Sequence, residues 1–327
     1  MNRRTFIATA AGSVLAVSIR SRAQKPGIPV VGFVNGGSPT GSAYLAAAFR
    51  QGLKETGFVE GTRVSILERW TEAHGEQMSS MIAELVRLPV ALIAVGGGGP
   101  VRRAAKAATA TIPIVFITGT DPVAEGLVSN LARPTGNVTG VTVPTTSLNA
   151  KRLEILNQFV PRGDAIAVLG NPSMSWTDAR AKDVQTAARA MGRKIHVVTA
   201  SHEGEIEAAL QSVVALRAGA LLVSADPMFN GRLQQLVDLT KRYRLPAIFE
   251  WREFATAGGL MSYGSDIANG YREAGVYAGR ILNGTRPSEL PVLQATKFEF
   301  VINLATAKAL GLTIPQALLI RADDVIK

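Results

Sequence analysis

From Pro29 onward the chain alternates short β-branched runs with longer segments whose apolar residues recur at helical spacing. Residues 30–34, 64–67, 90–95 and 112–117 read as strands, and 42–56, 75–88 and 101–110 between them as amphipathic helices. The runs are apolar on both faces and separated by helices, so they predict parallel strands covered on both sides. The same order then restarts. Strands at 165–169, 195–198, 220–223 and 247–249 alternate with helices at 177–191, 203–217 and 231–243. Each half opens with a strand ending in asparagine and turn residues: Asn35-Gly36-Gly37-Ser38-Pro39 in the first, Asn171-Pro172-Ser173 in the second. This duplication predicts an α/β protein of two doubly wound parallel-sheet lobes joined near 138–144. Residues 258–264 read as a crossing strand and 267–282 as a helix returning to the first lobe. A strand at 298–302 and a short helix to Leu310 follow, in a tail that the pattern does not assign to either lobe. The expected organisation is 1–23, 24–143, 144–257, 258–290 and 291–327.

The first 23 residues stand apart. Arg3-Arg4 precede Phe6-Ile7, an apolar small-residue stretch runs from Ala8 to Val17, and Ser21-Arg22-Ala23 supplies a small-x-Ala cleavage pattern. That is the layout of a bacterial export signal, with paired arginines pointing to the twin-arginine route and a mature start at Gln24. The stretch is well short of the ~20 residues a membrane span needs, and no later run is long enough. The expected mature protein is periplasmic, with no stable membrane insertion.

Charge and cysteine narrow the chemistry. Removal of 1–23 takes four arginines and no acid, lowering the formal charge from +10 to +6. The remaining basic residues are dispersed and aromatics are few, so no nucleic-acid surface is indicated. With no cysteine, disulfides, thiol catalysis and a cysteine-linked lipid anchor are excluded. His74, His196 and His202 are scattered, and neither His-Glu-x-x-His nor Gly-x-Ser-x-Gly occurs. No catalytic residue, metal site or cofactor is expected.

Ligands of open parallel sheets sit beyond the carboxyl ends of the strands. The loops there offer Asn35 and Ser38 after the first strand, and Gly97 and Gly98 within a run of four glycines before Pro100. Thr118 and Asp121 follow the fourth strand; Asn171, Asp226 and Glu250 follow strands of the second lobe, and Tyr263 lies in the crossing strand. The glycine run either presents bare amides to a ligand at a helix start or makes a tight turn. It is no phosphate loop, since no Gly-Lys-Ser/Thr follows, and it misses the dinucleotide spacing. Asp121 and Asp226, each before a proline, read equally as helix caps or ligand partners. Trp176, Trp251 and Tyr44 are further aromatics near the expected cleft.

Several longer segments resemble a known family. They include Phe49-Arg50-Gln51-Gly52-Leu53, Ile112-Pro113-Ile114-Val115-Phe116 and Asp121-Pro122-Val123. Further ones are Gly136-Asn137-Val138-Thr139-Gly140, Lys151-Arg152-Leu153-Glu154, Glu250-Trp251-Arg252-Glu253-Phe254 and Lys297-Phe298-Glu299. The chain is similar to the ABC-transporter substrate-binding proteins related to the tryptophan/tyrosine-type periplasmic binders. The resemblance implies a type I periplasmic-binding fold with a hinged cleft. It also implies a small organic ligand (an amino acid or an aromatic or carboxylate compound) and ABC permease subunits as partners. Where many relatives carry Gly-Thr-Pro after the third strand, this chain has Gly96 to Gly99 before Pro100. The expected mechanism is closure of the lobes over ligand, with Val141, Thr142 and Tyr263 in the crossing segments. A periplasmic hydrolase or isomerase on the same fold, and a sensory presenter, are the other readings of the sequence.

Overall fold

The computed structural model describes residues 27–71, 75–145, 148–159, 165–173 and 178–327. The expected export segment, His74 and Trp176 lie outside them. The first lobe runs β1 (Val30–Asn35), α1 (Ala43–Glu55), β2 (Ser65–Trp70), α2 (Gly75–Arg87), β3 (Val90–Val95), α3 (Gly99–Ala108), β4 (Ile114–Thr118) and β5 (Val138–Thr142). The second runs α4 (Asn149–Asn157), β6 (Ile166–Gly170), α5 (Asp178–Ala190), β7 (Ile195–Thr199), α6 (Glu203–Ala215) and β8 (Ala220–Val223). It continues with α7 (Pro227–Gly231), α8 (Leu233–Arg242), β9 (Ala247–Phe249), α9 (Arg252–Thr256) and β10 (Met261–Ser265). The chain then passes through α10 (Ile267–Leu282), β11 (Leu293–Gln294), β12 (Phe298–Asn303), α11 (Leu304–Leu310), α12 (Gln316–Arg321) and β13 (Asp324–Ile326).

Two sheets result. The first is ordered β11-β5-β4-β3-β1-β2 and is parallel throughout. The second, β13-β12-β10-β9-β8-β6-β7, is parallel except where β12 runs against β10. The central strands β3, β4, β6 and β8 are buried almost end to end, as both-face coverage by helices demands.

The expected boundary at 143/144 falls between β5 and α4, whereas the return crossing differs from the sequence reading. Residues 138–142, read as the join, form β5, because Val138 and Val141 bury against the first-lobe core. Tyr263 is no crossing residue: β10 pairs with β9 and β12, and Met261 is buried with Phe300 and Ile302 in the second lobe. The return to the first lobe therefore begins at Ile267 and not at 258, with Asp266 capping α10 through the amide of Asn269 at 2.8 Å. The tail divides between the lobes. β11 extends the first sheet, while β12, β13 and the helices between them complete the second. The helix read over 231–243 is α8, and a short α7, capped by Asp226 and begun by Pro227, precedes it, with the chain turning at Arg232 between them.

The returning α10 packs tightly on α1. A Cβ at Gly52 would overlap the Arg272 carbonyl, and one at Gly275 the Phe49 carbonyl, so these glycines let the helix backbones approach each other.

Arg152, the first-turn arginine of α4, is fully buried and pins the crossings together. Its Nη1 donates to the Thr145 carbonyl at 3.0 Å, just past β5, and to Asn149 Oδ1 at 3.0 Å. Its Nε donates to the Tyr263 carbonyl at 2.7 Å, in β10 just before the return crossing. Glu250, at the end of β9, is also fully buried, and neither carboxyl oxygen has a hydrogen-bond partner. Burial pushes its carboxyl up to about 7, against the attraction of Arg152 and with the repulsion of Asp226.

Two outcomes are expected. Gly52→Ala should lower the urea midpoint despite alanine's helix-propensity gain of about 1 kcal/mol, because overpacking costs ~1–3 kcal/mol; a raised midpoint would contradict the close packing. For Glu250, folding disfavours the charged form. Its folded pKa stands above the ordinary value of 4.5, so the stability of the neutral form is lost as pH rises from 4.5 to about 7. Relative to Glu250→Gln, the wild type should lose about 3 kcal/mol between pH 4 and 8. Denaturant unfolding at fixed pH checks this, and parallel profiles for the two proteins would refute it.

Candidate ligand site

The carboxyl ends of β1, β3 and β4 face those of β8 and β9 across the gap between the lobes. A cavity of about 540 Å³ lies there, lined from both sides. Of the residues singled out from the sequence, Asn35, Gly97, Gly98, Thr118 and Asp121 line it from the first lobe, and Asp226 from the second. Ser38, Asn171, Glu250 and Tyr263 do not.

On the first-lobe side the wall is built by backbone packing. A Cβ at Gly36 would overlap the Gly97 carbonyl, so the loops after β1 and β3 lie back to back. Gly98 sits at φ 109, a conformation that side-chain-bearing residues rarely adopt, and leads directly into α3 with Pro100 in its first turn. The glycine run is thus required by its own geometry, and Gly97 and Gly98 also face the cavity. Asn35 is buried; its Oδ1 accepts from the Gly37 amide at 2.8 Å and its Nδ2 donates to the Tyr271 hydroxyl at 2.7 Å. The α10 residue Tyr271, 236 positions away, therefore fixes the loop after β1, and burial pushes its phenol well up. Thr118 Oγ1 accepts from the Thr120 amide at 3.1 Å. Asp121, exposed at the rim, caps its own turn through Val123 and Ala124 amides at 2.8 and 3.3 Å.

On the second-lobe side Asp226 is almost fully buried. Its Oδ1 accepts from the Met228 amide at 2.9 Å, as a helix cap, and from Asn171 Nδ2 at 3.0 Å. Cap and cavity lining are therefore both true of this residue. Asn171 braces it from behind. Trp251 brings its ring to the wall, with Nε1 donating to Asn230 Oδ1 at 3.1 Å, and both residues line the cavity. With Leu45, Ile117, Val143 and Ile267 they make the surface mostly apolar.

The other three expected ligand residues serve elsewhere. Tyr263 lies on the second sheet, stacked on Phe298 with centroids 6.4 Å apart. Glu250 sits behind the wall at the hinge. Ser38 accepts from the Gly41 amide at 3.1 Å and shapes the segment where the lobes touch; there a Cβ on Gly41 would overlap the Gly231 carbonyl. Sequence reasoning missed Tyr271 and the buried Arg102–Glu125 pair, which also line the cavity. A charged residue in the first turn of the helix after the glycine run was the available signal for Arg102; nothing local marked Tyr271. Among the described residues no group of three His, Asp or Glu side chains could hold a metal, and no helix is long and apolar enough to cross a membrane.

This geometry has counterparts among known proteins. The "Tyrosine-binding protein" of Clostridioides difficile (strain R20291) is 28% identical over 213 residues; the alignment covers 65% of this chain and 61% of that protein. A conserved domain protein from Vibrio cholerae superposes with a TM-score of 0.81 at 23% identity, covering 91% of this chain and 99% of that one. The ABC domain from Streptococcus pneumonia in complex with L-Trp gives 0.79 at 23% identity, with the same coverage. The family model described as "ABC transporter substrate binding protein" matches residues 28–326. With two hinged sheets, a cavity between them and a family match along almost its whole length, this chain belongs to the ABC transporter substrate-binding proteins.

Proposed function

We propose that the chain is the periplasmic solute-binding component of an ABC importer, that 1–23 directs its export and is removed near Ala23, and that its ligand is an amino acid with an apolar or aromatic side chain. The observation that carries this reading is the cavity itself, formed by strand-end loops of both lobes and large enough for such a ligand. Its polar groups suit a zwitterion. Asp226 supplies a buried carboxylate for an ammonium group, and the Gly98–Gly99 start of the ten-residue α3 presents amides and a helix dipole for a carboxylate. Between them the walls are apolar, with Trp251 as the aromatic face. The ligands named for the two relatives above, tyrosine and L-Trp, are of this class.

Binding by closure follows from the hinge. Asn35, Ser38, Gly97, Gly98, Thr118 and Asp121 move with the first lobe, and Asn171 and Asp226 with the second. Ligand bridging the cavity-lining members of the two sets favours the closed arrangement by its differential contacts. The closed form then docks on permease subunits in the inner membrane, which would read the joined surface of both lobes. Bare backbone at Gly41 and Gly231 lets the lobes meet.

Residues 24–327 should gain thermal stability with L-tryptophan or L-tyrosine, by ~2.7 kcal/mol at a hundred times the Kd, with a smaller radius of gyration in solution scattering. Absence of binding to any amino acid in calorimetry would sink the ligand assignment. Gly41→Val, which places a side chain against Gly231, should weaken the same ligand at least tenfold in a calorimetric titration while the ligand-free chain keeps its fold by circular dichroism. Unchanged affinity would show that the Gly41–Gly231 contact plays no part in closure.

A further inference from the structure

The cavity contains an arginine whose hydrogen-bonding capacity is already largely taken. Arg102 is buried, yet it lines the cavity. Its Nη2 donates to Glu125 Oε1 at 2.7 Å and Oε2 at 3.0 Å, and its Nε to Oε2 at 3.1 Å. Nη1 is turned to the Ile117 carbonyl at 3.3 Å. Glu125 is fixed in turn by the Thr120 hydroxyl, and Thr120 by Thr118, at the end of β4. Burial works against ionisation of Glu125, but the Arg102 charge and hydrogen bonds, Thr120 and Arg103 hold its carboxyl below the ordinary range.

A buried guanidinium in a ligand cavity is the natural fork for a carboxylate. Here a residue of the protein's own chain, 23 positions further on, occupies that fork, and the pair as a whole is neutral. The other charged groups lining the cavity do not replace it. Arg103 is exposed, Asp121 caps its turn at the rim, and Asp226 is acidic. A ligand with a second carboxylate would therefore meet Glu125 where it needs a cation.

We infer that Glu125 sets the charge selectivity of the cavity: by occupying Arg102 it excludes dicarboxylates, and its removal converts the site to one that binds them. This rests on the reading of the cavity as the ligand site. It assigns a role to a side chain that holds Arg102, a cation on the cavity wall, and not to a group at the ammonium or aromatic end of the ligand. Removing Glu125 leaves a buried positive charge uncompensated, which costs stability until an anion replaces it. The anion response and the loss of stability thus have one origin.

The test uses succinate as the dicarboxylate, beside L-tryptophan and L-tyrosine, in calorimetric and thermal-melt titrations of residues 24–327. The wild type should not respond to succinate. Glu125→Ala should melt lower than wild type without ligand and bind succinate at least tenfold more tightly than wild type does. The Arg102→Met/Glu125→Ala double variant should lose that response. If Glu125→Ala does not fold, Glu125→Gln, which keeps the shape without the charge, should show the same direction of change. Succinate binding by the wild type at the variant's affinity overturns the inference, as does a folded variant with no succinate response, or a response that persists without Arg102. Amino-acid binding by wild type with no succinate gain in the variants would refute the filter alone. Succinate gained through Arg102, with no amino acid bound by wild type, would keep the filter and refute the amino-acid assignment.

Discussion

The lobes of this chain are held in register by a guanidinium that no water reaches. Arg152 spans the two carbonyls that flank the crossings, Thr145 beyond β5 and Tyr263 in β10, and so fixes where one lobe ends and the other begins. A buried arginine is expensive to desolvate and is tolerated where several acceptors surround it. Two backbone carbonyls and Asn149 Oδ1 supply them for Nε and Nη1, while Nη2 has no hydrogen-bond partner. Everything at the cleft is referred to that point. β5 and β4 end beside it, with Thr142 and Thr118 paired, and β9 leads into Glu250 and Trp251 next to β10.

Around this pivot the cleft divides its work between backbone and side chain. Glycine backbones make the first-lobe surface, where loops after β1 and β3 touch without side chains between them. Side chains make the second: Asp226 braced by Asn171, and Trp251 braced by Asn230. A glycine wall is stiff because it is packed, and it presents donors at fixed positions; a side-chain wall offers shape and charge. A ligand held between such surfaces is read for its backbone-like polar end on one side and for its bulk on the other.

Most of the fold could be read from periodicity, because each strand is a short apolar run bounded by turn residues and each helix a long one. What could not be read were the places decided by distant contacts. β5 has the composition of a linker, with Thr139, Gly140 and Thr142 among its five residues, and becomes a strand only because β4 lies beside it. β10 read as a crossing segment because its glycine-rich start resembles a loop, but the antiparallel β12 claims it. The candidate site divides in the same way. Asn35, Thr118 and Asp226 stand at strand ends and could be found by position. Glu250 stands at a strand end as well, yet its side chain is enclosed at the hinge. The roles of Tyr271 and of Arg102 with Glu125 depend on partners brought in by the tertiary fold, and no local spacing encodes them.

The position of α10 has a bearing on how the molecule comes into being. The first lobe cannot be finished from its own residues, because the helix that covers α1 is made only after the entire βα array of the second lobe has left the ribosome. Until then α1 lacks the partner that lies against it at Phe49, Gly52 and Thr56. The two halves are thus tied together in time as well as in space: neither the ribosome nor a protease working from one end meets a self-sufficient half-molecule.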